Sequence, residues 1–215
     1  MKPIVAVPLP GAFAPLLTLL TLMALTTLMT SGCVQVQNSS GSSSVAGPPI
    51  TAEKPFVAGG TVNIQLEAGD YEVRPGSGTV VRVSLTGHTG NATADVAITD
   101  NSAAVSVKNT THTNFHGVIE VPQMANLVVR LSAGDLRVGP VTGSKDVEST
   151  AGDVRIDVGN ADDYASVDAA VRVGDMSTGP FNGSTSGLIG HELKWNGKGK
   201  YTLRARLGAG DLNLK

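Results

Sequence analysis

At 215 residues the chain is long enough for one domain with a terminal tail, but short for two domains. Only 4% of its residues are aromatic and 26 are glycine, a composition that favours a core of small aliphatic side chains on short strands over a helical bundle. The formal net charge of -2 provides no basic field, which argues against a nucleic-acid partner.

The N-terminal 32 residues have the pattern of a secretory signal peptide. Lys2 is the only charged residue before Glu53, and residues 16–29 form the uncharged stretch LLTLLTLMALTTLM. Spanning a bilayer takes roughly 20 apolar residues, so this stretch is too short for that purpose. It has the length of the apolar region of a signal peptide, and we predict a signal peptide over residues 1–32.

Cys33 is the only cysteine, which excludes an intramolecular disulfide and a cysteine-based metal cluster. It follows Ser31 and Gly32, and this ending resembles the lipobox of bacterial lipoproteins, although Thr30 stands where that motif prefers leucine. The resemblance implies that Cys33 is diacylated and becomes the mature N-terminus, with membrane lipid as its partner. Each buried CH₂ of an acyl chain adds about 0.8 kcal/mol of membrane affinity. An uncleaved anchor and ordinary secretion are the alternatives.

Serine, glycine and proline dominate the segment after Cys33, VQVQNSSGSSSVAGPPITAEKPFVAGG. No apolar periodicity persists in it for more than a few residues. We therefore predict a flexible tether over residues 33–58, beginning at the lipidated cysteine, and a folded domain over residues 59–215.

A short motif recurs within that domain: glycine and aspartate followed by an alternating strand pattern. Its copies are AGDYEV at Ala68, AGDLRV at Ala133, AGDVRI at Ala151, VGDMST at Val173 and AGDLNL at Ala209. Successive aspartates are separated by 65, 18, 22 and 36 residues. Because 36 is twice 18, we predict one degenerate copy between the last two, at residues 184–193.

Each copy predicts a turn followed by a very short strand. Glycine adopts positive φ at little cost, and the aspartate side chain can accept hydrogen bonds from nearby amides. The first and third positions after the aspartate are apolar and the second is polar, so one face points inward. The inward residues are Leu136, Val138, Val154, Ile156, Leu212 and Leu214. Strands this short are stable only when stacked, which predicts an all-β fold of the β-solenoid class.

The stretch from 60 to 130 is less regular but also alternates between apolar and polar residues. Segments such as TVNIQL, TVVRVSL, ADVAI and AAVSV are separated by Gly, Asn, Asp and Thr turns. We place it in the same domain, as wider or antiparallel-decorated coils that lead into the regular stack.

Three ordered pieces carry a family resemblance: IEVPQMANLVVRLSAGDLRV, VESTAGDVRIDV and WNGKGKYTLRARLGAGDLNLK. Together they resemble the bacterial putative-adhesin family of unknown function, over about residues 60–215. The resemblance implies a β-solenoid-like fold and a secreted or lipid-anchored protein. It implies no catalytic residues, because the family has no established catalytic motif.

Metal sites are not favoured by the sequence, and we expect no cofactor. His112 and His116 are four residues apart. On a helix this spacing would place both side chains on one face, where they could bind zinc, but on a strand it separates them by roughly 13 Å. A calcium-binding β-roll needs several ligands in each nine-residue repeat, whereas this chain has one aspartate per 18 or more residues.

Catalysis on polysaccharides is the main alternative for a fold of this class, and it requires carboxylates gathered on adjacent strands. The outward column predicted here lacks a carboxylate pair; its members are Glu72, Arg137, Arg155, Ser177 and Asn213. We therefore expect a non-enzymatic protein and keep a β-helix enzyme acting on polysaccharide as the alternative.

Arg137 and Arg155 form the one suggestive pair, since adjacent strands place like charges side by side. Either nearby carboxylates such as Glu148 and Asp157 neutralise them, or they bind an anionic ligand. We predict a membrane-anchored envelope protein facing the periplasm or the cell surface, with a binding or structural role. Its expected partner is a surface glycan or another envelope protein.

Overall fold

The computed structural model describes residues 47–111, 114–182 and 190–215. The predicted signal peptide, Cys33, the first part of the tether and His112 lie outside the described residues. No helix within the described ranges is long and apolar enough to cross a membrane.

Alternating burial defines strands along the whole described chain. The strands in chain order are β1 Ile50–Pro55, β2 Thr61–Leu66, β3 Asp70–Pro75, β4 Val80–Gly87, β5 Thr93–Thr99, β6 Ser102–Lys108, β7 Phe115–Val121, β8 Asn126–Leu131, β9 Leu136–Val138, β10 Lys145–Ala151, β11 Val154–Ile156, β12 Tyr164–Val173, β13 Met176–Ser177, β14 His191–Asn196, β15 Tyr201–Ala209 and β16 Leu212–Leu214. A 3₁₀ turn at Ala161–Asp163 is the one helical element that the structure describes. The prediction of an all-β fold is confirmed.

Two eight-stranded mixed sheets contain all these strands. Sheet A has the order β1-β4-β7-β3-β9-β11-β16-β13, and sheet B has the order β14-β12-β15-β10-β8-β2-β6-β5. Pairing is parallel from β7 to β13 in sheet A and from β12 to β6 in sheet B. Antiparallel strands flank these parallel blocks, so the antiparallel decoration expected for the early stretch is present.

Each Gly-Asp turn connects a strand of sheet B to the next strand of sheet A. We call such a strand–turn–strand segment a two-strand unit; β8–β9 and β10–β11 are two of them. The units stack in register, so that Val154 pairs with Leu136 on one side and with Leu212 on the other. All three side chains are buried, as the alternation predicts.

The stacking order differs from the chain order. The last unit, β15–β16, inserts between β10–β11 and β12–β13, so that two segments distant in the chain become neighbours. The turn of the degenerate copy predicted at residues 184–193 lies outside the described residues. Residues 191–193 begin β14, which pairs antiparallel with β12 rather than joining the parallel stack. Strand β14 precedes β15, which lies between β12 and β10 in sheet B.

The folded domain begins earlier than residue 59. Strand β1 pairs antiparallel with β4, placing Ile50 opposite Leu85, and Phe56 is buried in the core. The tether predicted over residues 33–58 is therefore too long at its C-terminal end. Proline and two charged residues interrupt the short alternation of β1, so the sequence pattern does not reveal this strand.

One apolar core lies between the sheets, because the buried faces of both contribute to a single cluster. Valine, leucine and isoleucine supply most of it, as the low aromatic content predicts. The residues that alternate with these buried ones point outward on each sheet. The two outer faces are therefore accessible to ligands.

Candidate functional site

The Gly-Asp turns stack into a column along one side of the molecule. Each turn glycine has positive φ, for example 113° at Gly134 and 111° at Gly152. The amide of Asp153 donates to Oδ1 of Asp135 at 3.2 Å, and the amide of Asp211 donates to Oδ1 of Asp153 at 3.1 Å. The aspartates thus hold neighbouring turns together, which is a structural role.

Metal-binding chemistry finds no support in the arrangement of these carboxylates. In the described ranges, no group of three or more His, Cys, Asp or Glu side chains is arranged to hold a metal ion. His116 lies on β7, while His112 is outside the described residues.

The predicted outward column exists on sheet A. Register pairs connect Glu72 to Arg137, Arg137 to Arg155, Arg155 to Asn213 and Asn213 to Ser177. Arg137 and Arg155 are both exposed and stand on adjacent strands, β9 and β11. The predicted adjacency of the two arginines is therefore present in the structure, and their role as a binding site stays a prediction.

Neutralisation of the pair by Glu148 is excluded. Glu148 lies on β10 in sheet B, where it contacts Arg130 at 3.3 Å. Asp157 follows β11 and accepts a hydrogen bond from the amide of Gly159 at 3.1 Å. Among the described residues, no carboxylate oxygen lies within 4.0 Å of the guanidinium of Arg137 or of Arg155.

Four other arginines of the two sheets, Arg74, Arg82, Arg130 and Arg206, form ion pairs, whereas Arg172 and Arg204 form none in the described structure and are not register partners of each other. Arg82 bridges Glu53 at 2.6 Å and Glu120 at 2.9 Å on sheet A. On sheet B, Arg206 contacts Asp168 at 2.6 Å, and this hydrogen bond holds the pKa of Asp168 below its usual range. The contrast identifies Arg137 and Arg155 as adjacent guanidiniums without such a partner in the described structure.

A shallow cleft of about 160 Å³ surrounds the pair. Its polar lining residues are Asp70, Glu72, His116, Asp135, Arg137 and Arg155. We call this surface the arginine cleft. The sequence placed Glu72 in the outward column, but it did not place Asp70, Asp135 or His116 beside the two arginines. Both charge signs in one cleft suit a ligand that offers anionic groups and hydroxyl groups together.

Glycosidase chemistry is not supported by this cleft, although it gathers three carboxylates. A general acid of that class usually has a desolvated carboxyl group whose pKa is raised by its surroundings. Asp70 and Asp135 are exposed and Glu72 is only half-buried. The arrangement provides hydrogen-bonding groups at a solvated surface.

Lys145 is a buried charged residue that the sequence analysis did not predict. It lies at an inward-facing position of β10, with 2% of its surface exposed. Its Nζ donates a hydrogen bond to the Tyr164 hydroxyl at 2.6 Å. That hydroxyl donates onward to the Val158 carbonyl at 3.2 Å. Burial lowers the pKa of Lys145 to about 8, against an opposing effect of Asp157 and Asp163. Lys145 lies two residues before the inward-facing Val147, and this alternation was the sequence signal that it points inward.

The outer face of sheet B carries larger cavities than the arginine cleft, with volumes of about 400, 430 and 300 Å³. Sequence reasoning did not find them. Their walls come from strands that become neighbours only through the stacking order.

No protein-family model matches the chain, and no curated protein matches it either. Solved structures do match. A putative cell adhesion protein from Clostridium sporogenes aligns over 78% of this chain and 99% of its own, with a TM-score of 0.50 and 12% identity. The two chains share a fold.

Two further structures align at lower scores. Putative adhesins from Bacteroides fragilis and Parabacteroides distasonis each align over 78% of this chain at 10% identity, with TM-scores of 0.24 and 0.28. The alignments cover 97% and 70% of those chains. These two scores are too low to define a common topology, and the shared fold is stated from the Clostridium structure.

Proposed function

We propose that this protein is a non-enzymatic, adhesin-like envelope protein of the putative-adhesin family, with a solenoid-like domain that binds a surface glycan. The arginine cleft is the observation that carries the proposal, because it presents two guanidiniums with no carboxylate within 4.0 Å in the described structure. Support also comes from the stacked two-strand units and from the shared fold with a protein named for cell adhesion.

Membrane attachment through Cys33 is part of this proposal. The apolar stretch ending in Ser31, Gly32 and Cys33 supports it, and about a dozen residues separate Cys33 from the first residue that the structure describes. The anchor would hold the domain at the envelope while leaving its outer faces accessible.

Mass spectrometry of protein extracted from membranes tests the anchor. We expect an acylated peptide that begins at Cys33, and Cys33→Ser should move the protein to the soluble fraction. Recovery of a peptide that continues from Met1 through Gly32 into the tether would contradict the prediction.

Acidic polysaccharide is the ligand that the cleft fits best. Carboxylate groups of the polymer can accept hydrogen bonds from both guanidiniums, which the strand ladder holds about 5 Å apart. Hydroxyl groups of the same sugars can donate to Glu72 and Asp135. Each exposed contact is weak and salt-screened, so useful retention needs many copies at one surface.

The double variant Arg137→Ala plus Arg155→Ala tests this assignment. Both side chains are exposed, so we expect the fold and thermal stability to be retained. Retention of protein-coated beads on polygalacturonate should fall several-fold at low salt and change little at high salt. A matched control, Lys194→Ala plus Arg204→Ala, removes the same charge from the outer face of sheet B. Equal loss in both variants would show a general charge effect and contradict the assignment.

Binding and catalysis are separated by following the polymer itself. We expect the chain length of the retained polygalacturonate to stay constant during prolonged incubation with the protein. Shortening of the polymer would overturn the non-enzymatic part of the proposal.

A further inference from the structure

Sheet B carries a long groove on its outer face. Two of its cavities, of about 400 and 300 Å³, share Glu148 and Thr150 as lining residues and meet there. Together they cross β6, β2, β8, β10, β15 and β12, six neighbouring parallel strands. With strands about 4.8 Å apart, the groove is roughly 24 Å long and runs along the stacking direction.

Short side chains form the floor of this groove where the strands of sheet B end. Ser132, Thr150 and Gly208 lie on or just beyond three consecutive strands and line it. A Cβ on Gly208 would fall on the Thr150 carbonyl oxygen, so this position stays without a side chain. The low floor leaves room for an extended chain.

The walls carry both charge signs, and most of these charges are already paired. Arg130 contacts Glu148 at 3.3 Å, Arg206 contacts Asp168 at 2.6 Å, and Glu67 accepts a hydrogen bond from the amide of Asn109 at 2.6 Å. The remaining basic side chains, Lys108 and Arg172, lie at opposite ends of the groove on β6 and β12, so a polyanion meets no adjacent unpaired cations like those of the arginine cleft. Hydroxyl groups both donate and accept, so they match arginine and glutamate walls equally well.

Other extended ligands fit less well. The backbone groups of the floor strands are used in the parallel ladder, so a peptide cannot bind by strand addition. The residues lining the groove in the described chain include no aromatic side chain, which removes the stacking platform that single-stranded nucleic acid requires.

We propose that this groove binds a linear neutral polysaccharide lengthwise. The proposal rests on the glycan-binding function proposed above and extends it to the opposite face of the domain. The arginine cleft takes an acidic polymer on sheet A, and the groove takes a neutral polymer on sheet B. One copy of the protein can then connect two different polymers of an envelope.

Calorimetric titration of the full folded domain with cellobiose and cellohexaose, followed by an array of other linear neutral oligosaccharides, tests the groove. The longer sugar of a bound series should bind more tightly than its disaccharide, because the groove spans six strands. Thr150→Trp fills the floor and should weaken binding by roughly tenfold. Thr202→Trp is the matched control, since Thr202 is equally exposed on sheet B but lines a different cavity. We expect the control to keep near-normal affinity.

The outcomes distinguish this proposal from the previous one. Failure of every linear neutral oligosaccharide to bind, or equal effects of Thr150→Trp and Thr202→Trp, overturns the groove. Retention on polygalacturonate that still depends on Arg137 and Arg155 would then leave the proposed function in place. Neutral binding that survives the double arginine variant supports the groove as a separate site.

Discussion

Gly152→Ala is expected to destabilise the domain by about 2–6 kcal/mol, a large part of the stability of a typical domain. Gly152 has a φ of 111°, which side chains rarely adopt. An added Cβ would also fall on the Gly134 carbonyl oxygen of the neighbouring turn. Relief of that clash would separate the two turns and break the hydrogen bond from the Gly134 amide to the Ala151 carbonyl at 3.0 Å.

Urea unfolding followed by circular dichroism measures this loss. Gly159→Ala is the matched control, because Gly159 also has positive φ, 69°, but no atom lies within 4 Å of its added Cβ. We expect the control to cost about 1 kcal/mol, the usual price of the conformation alone. Equal losses in the two variants would show that the turns are not in tight contact.

Lys145→Met is expected to stabilise the domain by about 2–3 kcal/mol at pH 7. At that pH the native state must hold a buried ammonium whose one hydrogen-bond acceptor in the described structure is the Tyr164 hydroxyl. Methionine has a similar shape and carries no charge, and the Tyr164 hydroxyl keeps its bond to the Val158 carbonyl. Removal of the charge therefore removes the desolvation cost.

The pH dependence of stability gives a second test of the same residue. Burial lowers the pKa of Lys145 to about 8 in the native state, against an ordinary value of 10.5. Between these values the unfolded chain binds the proton and the native state does not, so the free energy of unfolding rises with pH. We expect a rise of about 2–3 kcal/mol between pH 8 and 10 in the parent protein, and no such rise in Lys145→Met.

Measurements should stop near pH 10, because buried tyrosines act in the opposite direction above it. Burial raises the pKa of Tyr71 to about 12, so the unfolded state ionises first and stability falls. Lys194→Met, at an exposed position on sheet B, is the control and should show the parent pH profile. Destabilisation by Lys145→Met at pH 7 would contradict the account of the buried ammonium.

Much of the candidate site on sheet A was predictable from local pattern. The alternation after each Gly-Asp turn placed Arg137 and Arg155 outward and Leu136 and Val154 inward, and the 18-residue spacing made the two strands neighbours. The same alternation placed Glu72 in the outward column, whereas His116 and the position of Glu148 escaped prediction. Glu72 and His116 enter the arginine cleft from β3 and β7, and Glu148 is absent from it because each Gly-Asp turn moves the chain to the other sheet.

The sequence by itself determined the strand class, the inward and outward parity and the positions of the turn glycines, because these depend on local geometry and on a period of two. Only the tertiary structure decided which units touch. A parallel strand ladder can add any two-strand unit whose inward-facing and outward-facing residues match those of its neighbour. The amide of Asp211 therefore donates to Asp153, although the two residues are 58 positions apart. The same stacking order produced the groove of sheet B and enclosed Lys145 beneath Tyr164. The groove has no local signature, and the inward position of Lys145 on β10 did not reveal that Tyr164 covers it, since both features depend on contacts between segments distant in the chain.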